Sequence, residues 1–148
     1  MGTLILPTSG SLYTDANSII YSVQQHPTYA VLLNPLWQAQ QTGRTAVSSD
    51  LTRMETLVLP FRLGDATLVA DYRRLFAQQI VTLLPITETI LEEAARLRAV
   101  IPGLKTPDAI HAATALIHGC TLFVTNDRGF ARVPGLPLAM LDDILAAP

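Results

Sequence analysis

Short apolar segments with the character of β-strands alternate along this chain with longer segments of helical spacing. The strand candidates are SGSLYTDA, TAVSS, VTLLPI, TLFVT and LPLAML. One or two helical segments stand between most neighbouring strands, so the connections are long enough to be parallel crossovers. Parallel sheets need helices over both faces to bury them. The sequence therefore predicts an α/β fold with three layers, α/β/α, around a central, mainly parallel sheet.

The helical segments carry recognisable boundary residues. Pro35 should kink or split the helix in TYAVLLNPLWQAQQTG, which Gly43 ends. Ser49 or Asp50 is suited to cap the helix LTRMETLVLPFRLG. Pro107 stands at a first-turn position of the helix DAIHAATALIHG.

Length and composition favour one domain that associates with other chains. At 148 residues, we expect residues 1–148 to form a single domain with a proper core. Hydrophobic residues make up 49% and charged residues 15%, which leaves little polar surface for a solitary monomer. The formal net charge of -2 gives no global attraction to nucleic acid, so such binding would need local basic residues or bound cations.

The apolar runs, the N-terminal segment and the single cysteine indicate the cellular compartment of the protein. No apolar run reaches eighteen residues, which argues against a membrane span. The start, MGTLILPTSGSLYTDAN, lacks the basic region and long apolar stretch of a signal peptide. Cys120 is the only cysteine, which excludes intrachain disulfides and thiolate zinc sites. We expect a cytoplasmic protein.

Four acidic residues interrupt apolar or small-residue stretches: Asp15, Glu55, Asp108 and Asp127. Two of them, Asp15 and Asp127, follow predicted strands, and ligands of parallel sheets bind at the carboxyl ends of the strands. Two negative charges about 4 Å apart repel by roughly 4 kcal/mol at an effective dielectric near 20. Converging carboxylates would therefore need a cation, and a hard divalent ion such as Mg²⁺ or Mn²⁺ prefers oxygen ligands.

Each of these acids also has an ordinary structural explanation. Asp15 is suited to cap the helix that follows it, Asp108 to stand at a helix N-terminus, and Asp127 to cap a turn. Capping alone would not explain why all three occur together with Glu55, so the set of four acids favours a shared site. His111 lies one turn after Asp108 on the same helix face, although a structural partner is the commoner role for a histidine in a buried helix. Thr125 either hydrogen-bonds a site carboxylate or a water, or is an ordinary strand-end residue.

Four motifs in order resemble those of PIN-domain ribonucleases, most closely the VapC-type toxins of toxin–antitoxin pairs. YTDANSIIY resembles the first motif, with Asp15 and Asn17, and SDLTRMET resembles the second, with Glu55. TPDAIHAATAL is similar to the third, with Asp108. FVTNDRGF is similar to the fourth, with Thr125 and Asp127. The resemblance covers nearly the whole chain and implies the PIN-like form of the three-layer fold.

The resemblance implies a Mg²⁺- or Mn²⁺-dependent endoribonuclease that cuts RNA by metal-activated water and leaves a 5′-phosphate and a 3′-hydroxyl. The four acids would be the catalytic metal ligands, with support from Asn17, Thr125 and His111. A homodimer is expected, together with a small antitoxin whose tail reaches the acidic site and inserts an arginine there.

Two departures from the family pattern stand out. Residues 1–10 form a short N-terminal extension before the first motif, which we expect to be an irregular arm or an extra edge. The chain has a single lysine, so arginine must supply most phosphate contacts. The candidates for RNA phosphate contacts are Arg53, Lys105 and Arg128.

Three other functions compete with a toxin. A housekeeping RNA-processing PIN nuclease would have the same motifs. A phosphoacceptor receiver domain would need an acidic pair after the first strand and a lysine after the last, whereas Asp15 stands alone and Lys105 precedes a helix. A non-catalytic scaffold that binds RNA or protein has no need of all four acids.

Overall fold

Five short strands form one parallel sheet in the computed structural model, which describes residues 1–148. The strands are β1 (Leu12–Thr14), β2 (Ala46–Ser49), β3 (Thr82–Leu84), β4 (Leu122–Thr125) and β5 (Leu138–Met140). Their order across the sheet is β3-β2-β1-β4-β5, and every neighbouring pair is parallel. The first strand is therefore central, and its carboxyl end lies beside that of β4.

Seven α-helices flank the sheet, which confirms the predicted three-layer α/β/α architecture. They are α1 (Ala16–Val23), α2 (Tyr29–Gln38), α3 (Leu51–Leu63), α4 (Ala66–Ala77), α5 (Glu88–Val100), α6 (Thr106–Ile117) and α7 (Leu141–Ala146). Short 3-10 helices at Ala39–Thr42 and Arg128–Arg132 complete the regular structure. None of the helices combines the length and apolar character that crossing a membrane requires.

The two faces of the sheet bury different hydrophobic clusters, because successive side chains of a strand point to opposite faces. Tyr13 and Phe123 belong to the larger cluster, which includes buried residues of α5 and α6. Leu12 and Leu122, their neighbours in sequence, belong to a second cluster with residues of α2 and α7. Both faces of β1 and β4 are thus buried, as parallel strands require.

A third, smaller cluster joins α1 to α4. Ile19 of α1 packs with Tyr72 and Phe76 of α4 and with Val81, which precedes β3. Since α3 packs against both α4 and α1, this cluster helps to hold α3 beside the end of β1.

Most of the predicted helix boundaries agree with the structure, and two differ in detail. Pro35 lies inside α2, and the chain then tightens into the 3-10 helix that Gly43 ends with a φ of 79°. Asp50 does not cap α3, because its backbone is already helical at φ -52° and ψ -27°, outside the extended region that capping residues use. Ser49 serves that end instead, where its Oγ accepts a hydrogen bond from Leu51 N–H.

Residues 1–10 contain no helix or strand, but they are tied to the rest of the chain. Leu4 is buried in the cluster with α2 and α7. Gly2 N–H donates to the Ile144 carbonyl at 2.9 Å, and Thr121 Oγ1 donates to the Ser9 carbonyl at 2.7 Å. Arg44 Nη2 donates to the Gly10 carbonyl at 2.9 Å. The N-terminal extension is therefore an irregular arm that packs against the sheet and α7.

Candidate active site

A cleft of about 340 Å³ opens where β1 and β4 end. Asp15 follows β1 directly, and Asp127 lies two residues after β4. Glu55 reaches the cleft from α3, and Asp108 from the first turn of α6. We call this the acidic cleft; its polar lining residues are Asp15, Asn17, Glu55, Asp108, His111 and Asp127. All four acids that the sequence singled out therefore line one cleft.

Asp15 is the most deeply buried of these acids, with 5% of its surface exposed. Its Oδ1 accepts a 2.9 Å hydrogen bond from Ser18 N–H, so Asp15 caps α1. Its Oδ2 accepts a 2.6 Å hydrogen bond from the Thr125 hydroxyl. Burial raises the pKa of Asp15, and the hydrogen bonds from Thr125 and Ser18 only partly offset that effect. The capping role and a role in the site thus coexist in one carboxylate.

Asp108 is half-buried on the first turn of α6. Burial is the largest cause that raises its pKa, and the negative charge of Asp127 raises it further. Glu55 acts in the same direction, while His111 and Lys105 act against it. The pKa of Asp108 thus registers the repulsion among carboxylates that share the cleft.

Glu55 and His111 are joined across the cleft. His111 Nε2 lies 2.5 Å from Glu55 Oε1, and His111 Nδ1 lies 2.6 Å from the Tyr13 hydroxyl. His111 is only 2% exposed, so both contacts are shielded from solvent on the imidazole side. Tyr13 is a residue that the sequence analysis missed. The one available signal was that a tyrosine in a buried strand needs a partner for its hydroxyl.

Asp127 and Asn17 complete the polar lining at exposed positions. Asp127 Oδ1 accepts a 2.8 Å hydrogen bond from Gly129 N–H, so it also caps the second 3-10 helix. Its own backbone N–H donates to Thr125 Oγ1 at 3.0 Å. Thr125 therefore links Asp15 to the turn that carries Asp127.

The three basic residues expected to contact phosphate do not line the acidic cleft. The Arg53 guanidinium lies over the Phe76 ring, 5.3 Å from its centroid. Arg128 Nη2 lies 2.6 Å from Asp143 Oδ1 of α7, because the 3-10 helix after β4 turns the side chain that way. Lys105 is exposed immediately before α6, and its charge acts on Asp108.

The acidic cleft offers oxygen ligands without forming a closed coordination shell. No three His, Cys, Asp or Glu side chains stand together as a metal-binding cluster. Carboxylate oxygens suit Mg²⁺ or Mn²⁺ better than a soft metal. Mg²⁺ commonly keeps several waters and uses only one or two carboxylates, so an incomplete protein shell is compatible with it.

Similar folds are found among solved toxin–antitoxin complexes. A toxin-antitoxin complex from Klebsiella pneumoniae matches with a TM-score of 0.64 and 23% identity, over 88% of this chain and 98% of that one. The DNA-bound VapBC from Salmonella typhimurium matches with a TM-score of 0.70 and 20% identity, over 90% and 99%. At these identities the likeness is one of fold. Among curated proteins the sequence has no match.

A family comparison covers most of the sequence. Residues 12–136 match the family model described as PIN domain, a range that runs from the start of β1 to just before β5 and includes all four acids. The match spans far more than half of the chain. The chain belongs to the PIN domain family.

Proposed function

We propose that this chain is a Mg²⁺- or Mn²⁺-dependent endoribonuclease and the toxin of a type II toxin–antitoxin pair. The observation that carries the proposal is that four carboxylates line one cleft with no arginine or lysine among its lining residues. Two of them, Asp15 and Asp108, have raised pKa values because of burial. PIN domains are nucleases, so family membership supports hydrolysis of nucleic acid. The choice of RNA rests on the family resemblance.

The proposed metal ligands are Asp15, Glu55, Asp108 and Asp127. An ion held by these carboxylates would supply a more acidic water as nucleophile and positive charge for the phosphoryl oxygens. The chain's part is to present the carboxylates in fixed orientations. Asp15 is held on both oxygens, by Ser18 and by Thr125.

Substrate phosphates need cations near the cleft. Lys105 is exposed, and its positive charge acts on Asp108 against the rise in the pKa of that carboxyl group. Arg53 lies two residues before Glu55 on α3, and Asn17 adds an exposed amide to the cleft lining. Arg128 would have to leave Asp143 to contact RNA. We propose these side chains as RNA contacts, with Lys105 the best placed of the three basic residues.

The proposed partners are a second copy of this chain and an antitoxin. Five apolar side chains on α3 are exposed: Met54, Val58, Leu59, Phe61 and Leu63. Single exposed apolar residues are common, but five on one helix favour a covered surface. The similar structures from Klebsiella pneumoniae and Salmonella typhimurium are a toxin–antitoxin complex and a VapBC complex, which supports an antitoxin partner. We propose that the protein acts in the cytoplasm as one domain.

The direct test is cleavage of a labelled single-stranded RNA by the purified protein. We expect cleavage with Mg²⁺ or Mn²⁺ and none with EDTA. Asp15→Asn and Asp108→Asn should each lower kcat by on the order of a hundredfold or more, since even partners of metal ligands matter 10–100-fold. Asp71→Asn, which removes a surface carboxylate paired with Arg74, is the matched control. Undiminished cleavage by both site variants would overturn the proposal.

A toxin differs from a housekeeping nuclease in having an antitoxin partner encoded beside it. We expect the adjacent reading frame to encode a short DNA-binding protein that copurifies with this chain and relieves growth arrest when both are expressed. Growth arrest that the neighbouring protein does not relieve would favour the housekeeping function.

A further inference from the structure

A line of hydrogen-bonded side chains runs from the core to the acidic cleft. Tyr13 lies in β1, His111 in α6 and Glu55 in α3, so the line joins three elements that are far apart in sequence. Tyr13 is fully buried and His111 is 2% exposed, whereas the Glu55 side chain is 28% exposed at the cleft. We infer that His111 is a positioning residue that fixes the Glu55 carboxylate for metal binding, and that Tyr13 in turn fixes the imidazole. The inference rests on the proposed function.

Packing of its ring fixes the position of the Tyr13 hydroxyl oxygen. Its ring stacks on Phe123 with centroids 4.8 Å apart and 11° between the planes, and it meets the His111 ring edge on at 5.9 Å. A tyrosine phenol has an ordinary pKa of about 10, so the hydroxyl carries its proton at neutral pH. The hydroxyl can therefore donate to His111 Nδ1 at 2.6 Å.

That donation determines what the other imidazole nitrogen does. In a neutral imidazole one nitrogen accepts and the other carries the proton. If Nδ1 accepts from Tyr13, Nε2 carries the proton and donates to Glu55 Oε1 at 2.5 Å. The second carboxylate oxygen, Oε2, makes no hydrogen bond within the protein, and because Glu55 lines the cleft, Oε2 is the oxygen left for a metal ion.

Glu55 has a single partner that fixes its orientation. Asp15 is held by Ser18 and Thr125, and Asp127 by Gly129. Glu55 has a longer side chain, and His111 is its only hydrogen-bond or ion-pair partner. Partners of metal ligands orient the ligand and typically affect metal affinity 10–100-fold. His111 also stands one turn after Asp108 on α6, so the same contact fixes α3 relative to the helix that carries Asp108.

The test distinguishes two roles of His111: a hydrogen bond to Glu55, and space-filling in the core. In His111→Asn the amide sits near the former Nδ1 and still accepts from Tyr13, but it is too short to reach Glu55. In His111→Gln the longer amide can donate to Glu55. We expect Mn²⁺ binding to the full chain, measured by calorimetry, to weaken 10–100-fold in His111→Asn. His111→Gln should stay within about threefold of the wild type, because it restores one hydrogen bond.

Two further variants guard against loss of folding. Thr114→Val removes a buried hydroxyl on the same helix that bonds only to the Ile110 carbonyl, and it should bind Mn²⁺ as the wild type does. Tyr13→Phe keeps the stacked ring and removes the hydroxyl, and we expect an intermediate loss of affinity. Circular dichroism verifies that each variant is folded. If His111→Asn does not fold, Tyr13→Phe decides: wild-type affinity in that variant would overturn the inference.

The remaining outcomes are equally decisive. Equal weakening in His111→Asn and His111→Gln would mean that His111 only fills space, and wild-type affinity in both would mean that Glu55 needs no partner; either result overturns the inference. Failure of the wild type itself to bind Mn²⁺ would overturn the metal site and this inference with it. That result is distinguishable from the others, because it appears before any variant is made.

Discussion

The Thr125 hydroxyl donates a 2.6 Å hydrogen bond to Asp15 Oδ2 and so joins the ends of two neighbouring parallel strands at the acidic cleft. The same oxygen accepts the backbone N–H of Asp127 at 3.0 Å. One buried hydroxyl thus sets the position of two of the four carboxylates. Because a hydroxyl both donates and accepts, threonine or serine can make this pair of contacts, whereas an apolar side chain cannot.

Thr125→Val should therefore impair the site while preserving the shape of the residue. We expect kcat for RNA cleavage to fall about 10–100-fold, as for other partners of metal ligands. The free energy of unfolding should fall by about 1–3 kcal/mol, because Asp15 stays buried with one hydrogen bond fewer. Thr125→Ser keeps the hydroxyl and should retain most of the activity. Wild-type cleavage by Thr125→Val would show that the contact has no part in the reaction.

The raised pKa of Asp108 makes the stability of the metal-free protein depend on pH. The pKa of this carboxyl is above its ordinary value of 3.8, chiefly because of burial. The native state then holds the proton more tightly than the unfolded state. This stabilising contribution is complete below pH 3.8 and is lost as the pH rises through the native pKa. Asp108→Asn should therefore gain in Tm relative to the wild type as the pH rises from 3.5 to 7.

Asp142 provides the opposite case for comparison. The hydrogen bond from the Tyr29 hydroxyl lowers the pKa of Asp142 below 3.8. Its contribution is present above pH 3.8 and is lost as the pH falls through the native pKa. Asp142→Asn should thus approach the wild type in Tm at acid pH and fall behind it at neutral pH. The pH dependence of Asp108 would be refuted if both variants followed the same trend in thermal unfolding at several pH values.

Divalent metal should stabilise the native chain by mass action. At a free Mn²⁺ concentration of 100 Kd, the free energy of unfolding should rise by about 2.7 kcal/mol if the unfolded chain does not bind the ion. For a chain of this size that is a Tm increase on the order of 5–10 °C. The increase should disappear in Asp15→Asn and persist in Asp71→Asn. An equal shift in both variants would mean that the ion acts elsewhere on the surface.

The layers of the fold and the shared cleft could be predicted because they follow from local patterns. Short apolar strands and helical spacing define a parallel sheet, and parallel strands bring Asp15 and Asp127 to one edge of it. The position of Arg128 could not be predicted in this way. It directly follows Asp127 in sequence, but its guanidinium pairs with Asp143 on α7, a contact 15 residues away that depends on tertiary structure.

The contacts of His111 lay beyond sequence reasoning for a different reason. Tyr13 and His111 are 98 residues apart, and His111 and Glu55 are 56 residues apart. These contacts depend on how α3 and α6 are rotated about their axes against the sheet. Packing of many side chains decides that rotation, whereas the periodicity of one helix indicates only which broad face is buried.

The free energy of unfolding should be more sensitive to substitution of Gly10, in the N-terminal arm, than of Gly43, which ends the first 3-10 helix. Gly10 has a φ of +91°, and a Cβ there would lie 2.3 Å from Thr121 Cγ2. Gly43 has a φ of +79° with nothing within 4 Å of the same position, so Gly43→Ala introduces backbone strain alone, about 1–2 kcal/mol. Gly10→Ala adds an overlap and should lower the free energy of unfolding by about 1–3 kcal/mol more. Denaturant unfolding of the two variants measures this difference, and equal losses would mean that the arm moves away from Thr121 without cost.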